Sequence, residues 1–479
     1  MAGSISKNGP KFYANLGIML AIMLFFRFIS PPEGLTPDGL AVVGVFFAVL
    51  YGWLFVDMVW PSFIGLIALG LTLHQPMDAV LGSAFGNSTV LLILFFCMVA
   101  GIINAAGIAE YVARRIICVP IINGRPYVLL FMLCLAMCAL ATMLTMTSAI
   151  LVAMPLVKEI CKQYGYKPGD TFPMLVMLAM LYAGELAYML LPFKSLPALV
   201  FGIYSRMSGG VDINLAAYVV VVGIVLFISI GFAIFLYKFI LKPDVAPILN
   251  SAECVEFHEQ LSTYQKTVLW SFAGLIVLLL LPNVTPKTWA LTKFLRSVGY
   301  NGTLLAYVGF YLMLSFKEGI PLKDIMQKSM AWPAIFLIAS VLEITGAFDS
   351  TGVIKWLGSV CEPMLAGVSG QVLIVFTIAA AVVCTQLTNN NACAVTFAPI
   401  AYTLAIANGG VDPQAMFTCL ILSCTLGLAT PASGVPAAIL YGDTEWVHQK
   451  TVIKYAALFW VFNIVLLSTV GYHLCRILF

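Results

Sequence analysis

Apolar runs long enough to cross a bilayer follow one another from residue 11 to residue 477. A spanning helix needs about 20 such residues. Inside lipid the backbone must satisfy its own polar groups, which helices do within a single segment. The chain is therefore expected to be a helical membrane protein that crosses the bilayer many times. Composition agrees: of 479 residues, 62% are hydrophobic and 9% charged, against about a quarter charged in soluble domains. The net charge of +3 comes without a basic cluster, which argues against a nucleic-acid partner. The twelve cysteines, Cys134, Cys138 and Cys424 among them, are scattered through apolar runs and form no CxxC pair. They read as small packing residues, not as a zinc site or a disulfide framework. The N-terminus shows no cleavable signal, so the first span is expected to stay.

The spans read as 11–29, 39–56, 58–73 and 89–107, an apolar pair at 127–143 and 148–161, a stretch at 172–205 interrupted near Pro192, and 214–240. After a charged loop come 266–283, 302–317 and 332–349. A second pair follows at 369–387 and 392–408, then 413–441 interrupted near Pro431, and 452–477.

The order repeats. "AAGIAEYVARRI" (105–116) resembles "STGVIKWLGSV" (350–360), with Gly107 matching Gly352 at an offset of 245. "LVAMPLV" resembles "VTFAPIA", with Pro155 matching Pro399 at 244, and Gly184 and Gly427 open the interrupted stretches at 243. The chain divides into a first span and loop (1–38), repeat one (39–240), a linker (241–265) carrying Lys242, Asp244, Glu253, Glu256 and Glu259, and repeat two (266–479). With the N-terminus cytoplasmic, sixteen of the 24 lysines and arginines lie inside. Six lie outside (Arg206, Lys287, Lys293, Arg296, Lys355 and Arg476), and Arg27 and Lys194 fall within spans. That bias fixes the orientation, whether the apolar pairs are hairpins or double crossings. Read as hairpins, the pairs enter from opposite sides and the repeats are inverted. Inverted repeats with broken helices mark secondary transporters with a site near the midplane, and argue against a passive channel.

Polarity inside the apolar surroundings is concentrated in four stretches: "ATMLTMTSAI" (141–150), "GELAYMLLPFKSLPA" (184–198), "TQLTNNNACA" (385–394) and "LATPASGVPAA" (428–438). Irregular backbone at membrane depth has to be buried in protein or line a cavity. Broken helices leave carbonyls for a hard cation and N–H groups for an anion. An isolated threonine such as Thr142 is ordinarily satisfied by its preceding turn. Three consecutive asparagines, Asn389 to Asn391, face different directions, and one helix contact cannot satisfy them all. Met174, Met177 and Met180 read as packing. Glu185 and Lys194 are intramembrane charges and so functional candidates. In a continuous helix they would lie about 13 Å apart along the axis, so a direct pair needs the chain to fold back. An intramembrane enzyme would need a nucleophile with its base, or a metal set. His74, His258, His448 and His473 lie at span ends or in loops.

These residues resemble the divalent anion/sodium symporters, the solute carrier 13 group of the ion-transporter superfamily, from about Leu40 onward. "AFGNSTVLLILFFCMVAGIINAAGIAEYVARRI" (84–116) and "AWPAIFLIASVLEITGAFDSTGVIKWLG" (331–358) look like that family's matching spans with their amphipathic helices. "LTNNNACAVTFAPI" is similar to its Ser-Asn-Thr signature with a proline ten residues after the serine.

The resemblance implies an all-α fold of two inverted repeats, each with a re-entrant hairpin and a broken helix. It also implies an elevator of scaffold and transport domains, and a homodimer. It places a sodium site at Thr385, Thr388, Asn389, Asn390 and Ser433. The substrate would lie between Thr147, Ser195 and Lys194 on one side and Asn390, Asn391 and Gly434 on the other. Thr142, Thr145, Thr147 and Ser148 become a degenerate first site, because Thr145-Met146-Thr147 stands where Ser-Asn-Thr is expected. Lys194 replaces the glycine that helps hold the family's first sodium, and its ammonium is expected in that ion's place. The implied activity is secondary active transport of di- or tricarboxylates coupled to sodium, with no other cofactor. The alternative is an anion exchanger or a sulfate or oxyanion permease with reduced coupling, or with proton coupling through Glu185.

Overall fold

The computed structural model describes the chain apart from residues 1–8, 250–259, 320–322, 324, 326, 328–329, 366 and 431–432, and apart from the side chain of Met364. Glu253, Glu256 and Glu259 of the linker, and the interruption at Pro431, lie outside the described residues. Every regular element among the described residues is helical. Repeat one, with the first span, comprises α1 (Pro10–Phe25), α2 (Pro37–Phe55), α3 (Trp60–Thr72), α4 (Met77–Phe85), α5 (Ser88–Ala105), α6 (Ile108–Ile117), α7 (Pro126–Met143), α8 (Met146–Gln163), α9 (Thr171–Tyr188), α10 (Ser195–Met207) and α11 (Leu215–Phe235). The short α12 (Ala246–Leu249) lies in the linker. Repeat two comprises α13 (Thr263–Val284), α14 (Ala290–Lys317), α15 (Trp332–Ser350), α16 (Val353–Leu365), α17 (Gly370–Leu387), α18 (Asn390–Asn408), α19 (Pro413–Cys424), α20 (Val435–Gly442), α21 (Gln449–Leu466) and α22 (Tyr472–Leu478).

Among the described residues, ten helical stretches are long and apolar enough to cross a membrane. The chain is a multi-pass membrane protein of the cell membrane. Large apolar side chains face outward, such as Phe227 at 63% and Trp270 at 74% exposure, as a lipid-facing surface requires. Helix starts follow local chemistry. Asn87 caps α5 by accepting from Thr89 N at 2.9 Å. Ser262 and Gln265 form a reciprocal capping box at the start of α13, which satisfies two otherwise orphaned donors.

The repeat is visible in backbone conformation. Gly107 (φ 69°) and Gly352 (φ 79°) both adopt left-handed geometry immediately before the amphipathic helices α6 and α16. Glycine takes that conformation without steric cost, which explains its presence at both matched positions. Several expected boundaries shift. A short helix, α4, occupies 77–85, which the hydropathy reading leaves as loop. The span expected at 302–317 begins at Ala290 and bends at Gly299 (φ 71°). Gly184 does not open a break: it lies in the last turns of α9, and the irregular chain runs from Met189 to Lys194. Gly427 does lie in the second break, between α19 and α20.

Each hairpin packs against the first half of its own broken helix: α7 and α8 against α9, α17 and α18 against α19. The second halves are exchanged. Helix α10 packs on α18 and α19 of repeat two, and α20 packs on α8 and α9 of repeat one. The exchange brings the four polar stretches into one body. An ion pair between Lys158 on α8 and Asp443 at the end of α20 ties the second crossing down.

Candidate functional site

The two hairpin tips are built alike. Leu144 and Thr388 are extended residues that end α7 and α17. The next residue in each case caps the following helix. Thr145 Oγ1 accepts from Ser148 N at 3.3 Å and donates to Ser148 Oγ at 2.9 Å. Asn389 Oδ1 accepts from Ala392 N at 2.9 Å. Thr145 and Asn389 stand 244 residues apart, the offset of Pro155 and Pro399. Thr147 and Asn391 are the second residues of α8 and α18, both half-buried. Thr142 Oγ1 donates to Cys138 O at 2.7 Å and Thr388 Oγ1 to Cys384 O at 3.1 Å. Each thus bonds the preceding turn of its own helix.

Lys194 is buried at 3% exposure and caps α10 by position. Its ammonium donates to Ala141 O at 3.2 Å and Leu144 O at 2.5 Å. It also lies 4.7 Å from the centre of the Tyr188 ring and 5.5 Å from that of Phe96. The end of a helix presents unpaired carbonyls and a partial negative charge, which favours a cation. Aromatic faces add to the attraction. Ser195 begins α10 and its hydroxyl lies 3.3 Å from the Tyr188 hydroxyl.

At the second tip the oxygens crowd. Thr385 Oγ1 lies 2.9 Å from Asn390 Oδ1 and 2.6 Å from Cys424 O. Gln386 is fully engaged. Its amide donates to Val382 O at 2.8 Å and Leu426 O at 2.6 Å, and its Oε1 accepts from Leu428 N at 3.0 Å and Ala429 N at 3.2 Å. The Thr430 hydroxyl donates to the Gln386 carbonyl, and Ser433 Oγ to Thr430 O at 2.7 Å. Gln386 thus fixes the course of the second break. Gly434 starts α20 in extended geometry. Matching Pro197 with Pro436 pairs Lys194 with Ser433, whereas the helix starts pair Lys194 with Gly434, so the two alignments differ by one residue.

Glu185 and Lys194 do not pair. Glu185, at 3% exposure, turns to the other repeat. Its Oε2 accepts from Thr425 Oγ1 at 3.1 Å and from Asn390 Nδ2 at 3.5 Å, and its main-chain oxygen accepts from Thr425 Oγ1 at 3.2 Å. One broken helix therefore supplies an amine to its own hairpin and a carboxyl group to the opposite one. Gln386, Thr425 and an ion pair of Arg206 (α10) with Glu343 (α15) at 3.8 Å were not singled out in the sequence. Gln386 and Glu343 carried the available signal, each being a polar side chain inside an apolar run. Thr425 carried none.

Two tips facing two helix breaks inside a many-spanning helical body are the arrangement of a secondary transporter. The comparisons make this specific. The sequence profile of the citrate transporter family matches residues 42–423, and the chain belongs to that family. The citrate/succinate antiporters of Escherichia coli K12 and O157:H7 are each 26% identical over 207 residues, covering 42% of this chain. The match spans about two fifths (40%) of the length of those relatives. Among solved structures, the YdaH transporter of Alcanivorax borkumensis aligns over 96% of both chains with a TM-score of 0.62 at 14% identity. MtrF of Neisseria gonorrhoeae, described as one of a class of antimetabolite efflux pumps, aligns over 95% of this chain and 93% of its own with a TM-score of 0.61, also at 14%. At that identity the likeness concerns the fold.

Proposed function

We propose that the protein is a secondary active transporter of di- or tricarboxylates whose first cation is built into the chain as Lys194. The observation that carries this is positional. Lys194 takes the carbonyls of Ala141 and Leu144. Their counterparts 244 residues on are Thr385 and Thr388, two of the residues assigned to sodium in repeat two. The ammonium thus stands in repeat one where a mobile cation would stand in repeat two.

The second half-site suits a sodium ion. Thr385 Oγ1, Asn390 Oδ1 and Cys424 O form a cluster in which three oxygens have one hydroxyl hydrogen among them. A hard cation satisfies such a cluster, and helix ends with unwound carbonyls hold sodium in transporters of this design. Thr388, Asn389 and Ser433 complete the proposed set. The anion would lie between Thr147, Ser195 and Lys194 on one side and Asn390, Asn391 and Gly434 on the other. It would move with the hairpins and broken helices as an elevator, in a homodimer. Lys194 itself favours a second reading, carboxylate exchange, because a tethered charge attracts the anion and is not carried across.

Uptake of labelled citrate, succinate, sulfate and lactate into proteoliposomes tests both readings. A sodium gradient should drive di- or tricarboxylate uptake. Sodium-independent uptake of all four would sink the second-site assignment. Stimulation by internal succinate without sodium would establish exchange.

A further inference from the structure

Outside this site a cavity of about 980 Å³ lies between α10 and the helices α5, α13 and α14. It lies on the face that carries Arg206, Lys287 and Arg296, which the charge distribution places outside. Lys287 and Arg296 line it, with Asp212 as the opposing charge. Arg296 is held by its bond to Pro282 O at 2.7 Å. Pro192 and Phe193, from the first helix break, line its inner end, and Tyr300 a wall.

Lys194 does not line the cavity, although Phe193, its neighbour in the chain, does. A row of rings intervenes. The Tyr300 ring lies 5.8 Å from that of Phe193, and Phe193 lies 6.3 Å from Phe96. The Lys194 ammonium lies 5.5 Å beyond, over Phe96. Phe193 and Phe96 are 1% and 4% exposed, and Tyr300 is anchored by Asn283 Nδ2 at 3.1 Å. The cavity therefore ends at an aromatic partition, with the buried ammonium behind it.

We propose that this cavity is a second anion site, a receiving chamber in which carboxylate substrates collect beside Lys287 and Arg296 before passing the Phe193 partition. Its volume is that of a small-molecule site. Low-dielectric walls focus the field of a cationic mouth and raise the local concentration of anions. The ammonium beyond the partition continues the attraction inward. This inference rests on the carboxylate-transport reading and adds the route and the residues along it.

The test uses full-length protein in right-side-out membrane vesicles and labelled citrate and succinate. Wild-type uptake reports on the transport reading alone: no uptake of either would overturn that reading. Given wild-type uptake, Lys287→Glu should raise KM about tenfold at low ionic strength with kcat unchanged. The two proteins should converge in high salt, because exposed charges are screened within about 10 Å at 0.1 M. A purely structural role for Lys287 would lower kcat or leave a defect that salt does not close. An unchanged KM at low salt overturns the chamber. Phe193→Ala should speed passive leak of preloaded citrate severalfold, and an unchanged leak in protein that still transports overturns the partition.

Discussion

The ammonium nitrogen of Lys194 lies 2.5 Å from the carbonyl oxygen of Leu144, at the tip of a hairpin fifty residues away in the chain. With Ala141 O at 3.2 Å, it neutralises the negative end of α7 and pins the break to the tip. Lys194→Met keeps the length and removes the charge, so it should strip these bonds and the attraction for the anion together. Charge-assisted hydrogen bonds contribute about 1.5–3 kcal/mol each, and transport should fall at least tenfold. Lys194→Gly leaves room for an ion on the same carbonyls. Residual uptake in that variant should show a steeper dependence on sodium than wild type. A flat sodium dependence in Lys194→Gly, with uptake intact, would end the idea that the ammonium stands in for an ion.

Glu185 connects the repeats through Thr425 and Asn390. Removing one partner of a buried charge leaves the other groups unsatisfied. Asn390→Ala should impair uptake more than Glu185→Ala does, because Asn390 also belongs to the proposed sodium and anion sites. In a double-mutant cycle the effects should be non-additive by about 0.5–3 kcal/mol. Additive losses in citrate uptake would show that the bridge carries no coupling between the half-sites.

Thr142 and Gln386 occupy matched positions, 244 residues apart, and carry opposite burdens. The Thr142 hydroxyl bonds only within its own helix, to Cys138. Thr142→Val should change stability and uptake little, within about 1 kcal/mol. Gln386 serves Leu426, Leu428 and Ala429 across the second break. Gln386→Leu leaves those main-chain groups buried and unpaired, at about 1–3 kcal/mol each. A loss of about 3 kcal/mol or more is expected, seen as a marked drop in melting temperature in detergent. Equal melting temperatures for the two variants would contradict this division.

Sequence pattern was enough for the architecture because it is written locally. Apolar run length marked the spans, Gly107 and Gly352 marked matched turns, and Pro192 stood in the first break. Asn389 and Thr145 were recognisable as tips from their place between two apolar runs. What stayed hidden was pairing over long distances. The partners of Glu185 lie 205 and 240 residues away, and nothing local distinguishes Thr425 from any other threonine in a helix. The same holds for Arg206 and Glu343, which meet at 3.8 Å only because α10 crosses onto α15. The exchange of the second half-helices between repeats decides these contacts, and periodicity does not encode it.

Gly184 and Gly427 match in the repeat, yet their surroundings make opposite demands. A methyl group added at Gly427 would come 2.8 Å from Ser433 Cβ and 3.0 Å from Asn390 Oδ1. Both contacts belong to the second half-site, where Asn390 is held by Thr385 and Ser433 by Thr430. Neither can withdraw without moving oxygens of the proposed sodium cluster. A methyl at Gly184 would meet Met137 and Met146, chiefly their terminal methyl carbons at 2.7 and 2.9 Å. Methionine is unbranched and adapts to such intrusions. Gly427→Ala should therefore lower carboxylate uptake at least tenfold and weaken the apparent affinity for sodium, while the protein still assembles. Gly184→Ala should retain uptake within about threefold, the cost of overpacking being about 1–3 kcal/mol before the methionines adjust. Uptake normalised to folded protein by size-exclusion chromatography decides between them. Equal losses at both glycines would mean that packing alone, not the geometry of the Asn390 cluster, fixes the second glycine.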